Sequence, residues 1–117
     1  MTTPDLDTLR QALRDFVRER DWEQFQSPKN LSMALIVEAA ELVEHFQWLT
    51  QQESRELPPE RRRAVAHEMA DIFIYLLRLA DVLDIDLLAA AEEKLRLNAA
   101  KYPAERVRGS AKKYDEY

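Results

Sequence analysis

The sequence contains no cysteine, which removes disulfides, thiolate metal sites and cysteine nucleophiles together. That absence suits a reducing compartment, so a cytoplasmic location is expected. Glycine occurs once, at Gly109. Turn-forming residues ahead of it are too scarce for a many-stranded sheet, which needs a turn about every 8–12 residues. No apolar run approaches the ~20 residues needed to span a bilayer. The first residues, MTTPDLDTLRQ, also lack the basic and apolar regions of a secretory signal, so no membrane partner is expected. An excess of positive charge is missing too. With 17 basic and 22 acidic residues the net charge is −5, which disfavours a general grip on the phosphates of nucleic acid. No nucleic-acid partner is expected, although phosphate-bearing small molecules remain open to the chain if a metal bridges them.

What is present points to helices. The 117 residues, 46% hydrophobic and 33% charged, suffice for one compact domain over residues 1–117. Thr3-Pro4 reads as the cap and first turn of a helix carrying Leu6, Leu9, Leu13, Phe16 and Val17 to about Arg20. Ser27-Pro28 reads as a second start, and a helix continues from Leu31 to about Leu49. Its residues are apolar nearly all round, the mark of a buried helix. Residues 50–60 read as a surface loop ending in Pro58-Pro59. From there a third helix runs to about Leu83. Asp86 caps a fourth, which carries Leu87, Leu88, Ala91, Leu95 and Ala99 and stops before Pro103. Residues 104–117 lack periodicity and read as a packed tail or one ordered on binding. The expected fold is all-α and four-helix bundle-like.

Acids interrupt this pattern where they are least expected. Glu38 and Glu41 break the most apolar stretch of the chain, and Glu68 and Asp71 lie in a similar setting. Each pair is spaced i, i+3, which places two carboxylates on one helix face. An unpaired buried carboxylate is costly or takes up a proton. No Lys or Arg occurs between Leu31 and Leu49 or between Ala64 and Leu77 to neutralise these groups. A divalent metal would do so, and an all-oxygen ligand set favours Mg²⁺ first and Mn²⁺ second.

Other readings compete. Acids at helical spacing also form solvated faces, and a non-catalytic oligomerisation module could pair them with Arg61, Arg62 and Arg63 across an interface. A di-iron bundle site would need Glu-x-x-His on two helices, but His45 follows Glu41 by four residues and His67 directly precedes Glu68. There is no Ser-His-Asp set and no phosphate-cradling Gly-rich loop. A water nucleophile activated by metal and carboxylate remains.

Three segments, RERDWEQFQSPKNLSMALIVEAAELVEHFQW, HEMADIFIYLLRLA and KLRLNAAKYP, closely resemble the dCTP pyrophosphatase family of the all-α MazG-like nucleoside triphosphate pyrophosphohydrolases. Glu38, Glu41, Glu68 and Asp71 match that superfamily's ExxE…ExxD pattern. The resemblance implies Mg²⁺-dependent hydrolysis of dCTP to dCMP and pyrophosphate, with Glu38, Glu41, Glu68 and Asp71 as metal ligands. Glu38 or Glu41 would be the catalytic base. It also implies base-pocket walls from Trp22 and Trp48, a sugar contact from Tyr75, and substrate contacts from Lys94, Asn98 and Tyr102. Phosphate contacts from Lys112 and Lys113 compete with a solvated basic run. A homotetramer with sites at subunit interfaces is implied as well. A MazG-like hydrolase of other or broader nucleotide preference is the nearest enzymatic alternative.

Overall fold

The computed structural model describes residues 5–111, and every regular element among them is helical. Helix α1 spans Leu6–Glu19, α2 Pro28–Glu44, α3 Gln51–Arg55, α4 Pro59–Val82, α5 Leu87–Lys101 and α6 Ala104–Val107. A one-turn 3₁₀ helix, Glu23–Phe25, lies between α1 and α2. The all-α expectation holds. Among the described residues no helix is long and apolar enough to cross a membrane.

Local chemistry sets the boundaries. The expected start at Thr3-Pro4 lies outside the described residues, and the cap of α1 is Asp5, whose carboxylate accepts the Thr8 N–H at 2.7 Å. At the other end Asp21 takes the left-handed conformation, with φ 53°. Its N–H donates to the Arg18 carbonyl at 3.1 Å, and that of Trp22 to the Val17 carbonyl at 3.0 Å. This is the Schellman arrangement, and it delivers Trp22 to a defined place. Ser27 caps α2 as expected, accepting the Asn30 N–H at 3.1 Å, with Pro28 in the first turn. Helix α2 ends at Glu44, short of the expected Leu49, because the chain turns over residues 45–48. The segment expected to be a loop holds α3, started by a capping box in which Thr50 and Glu53 satisfy each other's backbone N–H groups. The tail also holds one short helix, α6, which its missing periodicity did not indicate.

The chain divides into two compact units, Met1–Asp84 and Ile85–Tyr117, of which residues 5–84 and 85–111 are described. In the first, α2 packs along α4, and α1 packs on α4 as well. Helices α2 and α4 run antiparallel. Gln26, just before α2, bonds Arg78 late in α4, whereas the carbonyl of His45, just after α2, accepts from Arg61 early in α4. Val17, Leu31, Val65, Leu77 and Ala80 form the buried apolar core. Truncating Leu31 or Leu77, both fully buried, to alanine costs about 2–5 kcal/mol on general grounds.

The expectation of a helix buried all round is corrected for the single chain. Leu31 is the only buried residue of α2, while Ile36, Val37 and Val43 are 64%, 56% and 56% exposed. An all-round apolar pattern indicates that a helix is covered, but not which chain covers it. The second unit carries α5, capped by Asp86 as expected through the Ala89 N–H at 3.1 Å.

Candidate functional site

The antiparallel packing of α2 on α4 brings Glu38 and Glu41 against Glu68. One carboxylate oxygen from each lies within 4.8 Å of the others, and all three side chains are half-buried. Glu38 Oε2 and Glu68 Oε2 are fully shielded from solvent and have no hydrogen-bond partner. Partial burial first, then the adjacent Glu41, then the charges of Asp71 and Glu68 push the Glu38 carboxyl up to about 7. Burial and then Glu41 and Asp71 push Glu68 in the same direction. Asp71, the fourth expected ligand, is exposed and outside the three-residue cluster, one turn along α4 from Glu68. It is near enough for its charge to act on both.

Arginines of this chain do not neutralise these acids within the described residues. Arg61 donates to the backbone carbonyl of His45 at 3.0 Å, and Arg62 and Arg63 are exposed. His45 Nε2 stands 4.0 Å from Glu68 Oε1, beyond hydrogen-bond reach. Two shielded, unpartnered carboxylate oxygens, with a third acid beside them, are what a hard divalent cation requires of a protein. The residues present therefore fit a metal.

A cavity of about 330 Å³ opens on the same pair of helices, lined by Trp22, Phe25, Gln26, Asn30, Leu31, Ala34 and Tyr75. Ala34 precedes Glu38 by one helical turn and Tyr75 follows Asp71 by one, so the cavity and the acid cluster adjoin along the α2–α4 seam. The expected sites of Trp22 and Tyr75 thus meet. Trp22 packs edge-on to Phe16, with ring centroids 5.9 Å apart. Trp48 is 86% exposed and does not line the cavity. Trp22 precedes α2 and Trp48 follows it, and the 17 residues between those ends are about 25 Å long. In the single chain the two rings lie in the segments that flank opposite ends of α2.

Lys94, Asn98 and Tyr102 follow at four-residue spacing on α5 and at its C-cap, in the Ile85–Tyr117 unit. Lys112 and Lys113 lie outside the described residues. Phe25, Gln26 and Asn30 were assigned no site role from the sequence. The available signal was their place in DWEQFQSPKN, beside Trp22 in a break between helices.

A family model described as the MazG-like family matches residues 33–117. The chain belongs to the MazG-like family. It is 42% identical over 115 residues to dCTP pyrophosphatase 1 of Homo sapiens, a match covering 97% of this chain and 68% of that protein. The corresponding protein of Rattus norvegicus is 41% identical over the same shares. Among solved structures, a pyrophosphatase from Archaeoglobus fulgidus DSM 4304 matches with a TM-score of 0.81 and 38% identity, covering 88% of this chain and 96% of that one. The resemblance carried by the acid pairs and the DWEQF segment is thereby borne out.

Proposed function

We propose that this MazG-like chain hydrolyses dCTP and modified deoxycytidine triphosphates to the monophosphate and pyrophosphate, with Mg²⁺ as cofactor and Mn²⁺ as a possible substitute. The observation that carries the reading is the pair of shielded, unpartnered oxygens on Glu38 and Glu68 beside Glu41, one helical turn from an aromatic-lined cavity. Its substrate comes from the 42% identity to proteins named dCTP pyrophosphatase 1.

Glu38, Glu41, Glu68 and Asp71 hold the metal in this reading, and its positive charge, once bound, offsets the charge of the triphosphate oxygens. Trp22 receives a face of the base, and Tyr75 packs on the sugar where a 2′-hydroxyl would crowd it. Glu38 or Glu41 accepts the proton of the attacking water. Water oxygen bonds to phosphorus, the phosphoanhydride bond breaks, and monophosphate and pyrophosphate leave. Lys94, Asn98 and Tyr102 contribute sugar and phosphate contacts, so that residues 1–117 act as one catalytic domain.

The active form is a homotetramer with a four-helix bundle-like arrangement. Two features support it. Apolar residues of α2 and α4, among them Ile36, Val37, Met69 and Phe73, are exposed on the single chain. The separation of Trp22 from Trp48 also leaves the second wall of the base site to another copy. Sedimentation should give about four times the 13.7 kDa chain mass; a monomer at micromolar concentration would refute the assembly.

A panel of deoxynucleoside and nucleoside triphosphates, assayed in Mg²⁺ for pyrophosphate release, tests the function. Turnover strongest for dCTP or its 5-modified forms is the expected result. Equal turnover across the panel would replace it with the broad-specificity alternative, and no turnover with the non-catalytic module.

A further inference from the structure

Gln26 lines the cavity beside Trp22 and Tyr75, and its orientation is settled by chemistry. Its side-chain oxygen accepts the Nε–H of Arg78 at 2.9 Å. A guanidinium has donors only, so the oxygen of the carboxamide must face it; a flipped amide would set donor against donor. The NH₂ end is left for the cavity, and among the described residues no acceptor takes its two hydrogens. Arg78 is itself buried, its side chain 9% exposed, with Nη1 3.3 Å from Asp81 Oδ2. The Asp81 carboxylate is in turn gripped in fork geometry by Arg14 of α1, at 2.7 and 2.5 Å. A continuous chain of charged contacts therefore runs from α1 through α4 to the cavity and fixes which end of the Gln26 amide faces inward.

The geometry points to Gln26 as the residue that reads the edge of the base, with Arg78 as its positioning residue. The inference rests on the proposed function and deepens it. An inward-facing N–H donor matches an edge with an acceptor at N3, as cytosine presents. It opposes an edge on which a donor stands at N3, as in uracil and thymine. A wrongly presented polar group is left unpaired in a desolvated pocket, which is how such sites discriminate. The aromatic neighbours supply stacking surface that any base can use; Gln26 supplies the choice between pyrimidines.

The test compares dCTP with dUTP in the full-length protein, wild type, Gln26→Glu and Arg78→Met. Glutamate keeps an oxygen for Arg78 and nearly the same volume, but offers the cavity an acceptor. The dCTP:dUTP ratio of kcat/KM should fall by at least about tenfold, with the change carried mainly by KM. In Arg78→Met the amide is free to rotate, so the ratio should also fall with Gln26 intact. Adding Gln26→Glu to that background should then change the ratio less than it does alone. Thermal shifts with dCMP and dUMP provide a readout independent of turnover, and Gln26→Glu should move their relative size toward dUMP. Unchanged kinetic and thermal preference in Gln26→Glu, with wild-type turnover intact, overturns the inference and leaves the hydrolase standing. A wild type without turnover whose dCMP preference still shifts in Gln26→Glu supports the inference and overturns the hydrolase. If Arg78→Met does not fold, Gln26→Glu decides alone.

Discussion

Two regions of the α2–α4 seam set charged groups into half-buried positions in opposite ways. Toward the end of α4, Asp81 is 11% exposed yet fully met, bonded by Arg14 and Arg78. The bond to Arg14 first, with the charges of both arginines, holds its carboxyl below the usual aspartate range. Near the middle of the seam Glu38, Glu41 and Glu68 stand together, two of their oxygens lack a partner, and Glu38 and Glu68 are pushed upward. A protein that merely tolerated buried charge would treat both groups alike. Here the first is closed by the chain's own cations, and the second is, in the function proposed above, left for a cation from outside. A perturbed carboxyl becomes a candidate for function when its neighbours leave it unsatisfied, rather than by burial alone.

Substitution should separate the two regions most sharply. Replacing Glu38 or Glu68 with Gln should cut pyrophosphate release at least about 100-fold, while the metal-free melting temperature stays level or rises because a repulsive charge has gone. A metal-free protein clearly destabilised by either change would mean that the acids hold the fold together, as the arginine network does. Next in size, Asp81→Asn leaves Arg78 short of its charge partner and should cost about 2 kcal/mol in urea unfolding. A loss below about 0.5 kcal/mol would reduce the network to an ordinary surface pair.

The pH dependence should differ in sign between the two regions. Glu38 has a folded pKa raised from 4.5 to about 7. Its contribution to stability is therefore present below the unfolded value and is lost as pH rises through 7. Metal-free protein should melt lower at pH 8 than at pH 6, and saturating Mg²⁺ should abolish that difference. Asp81, lowered from 3.8, adds stability above the unfolded value that is lost as pH falls through the folded one. Melting curves of wild type and Asp81→Asn should thus converge only in strong acid. Identical pH profiles in the two regions would undo the contrast.

Much of this was legible in the sequence, for physical reasons. Ser27-Pro28, Pro58-Pro59 and Asp86 announce helix starts because the orphan N–H groups of a first turn need such residues. The acid pairs were visible because carboxylates such as Glu38 and Glu68, set among apolar helix residues without a nearby cation, stand out from the pattern. The end of α2 was not legible: Phe46 and Leu49 continue its spacing, and no Gly or Pro marks the turn at His45. Helix α3 carried its capping signal at Thr50 and Glu53, but its five residues are too few for periodicity. The contact between Gln26 and Arg78, 52 positions apart, has no local trace except an arginine between Leu77 and Leu79. The exposure of α2 was hidden because hydrophobic pattern does not distinguish burial within a chain from burial between chains.

The smallest expected effect concerns the delivery of Trp22. Asp21 stands where glycine is the residue without steric penalty. Asp21→Gly should raise stability by about 0.5 kcal/mol and leave the dCTP:dUTP preference unchanged. A changed preference would show that Asp21 does more than end α1.

The central claim is that the unpartnered carboxylates are a divalent-cation site, and Mn²⁺ titration followed by electron paramagnetic resonance tests it most directly. The wild type and Asp81→Asn should bind Mn²⁺ saturably and release it to Mg²⁺, while Glu38→Gln and Glu68→Gln should bind far more weakly. Equal Mn²⁺ binding by all four proteins, or none by the wild type at millimolar metal with dCMP present, would contradict the account.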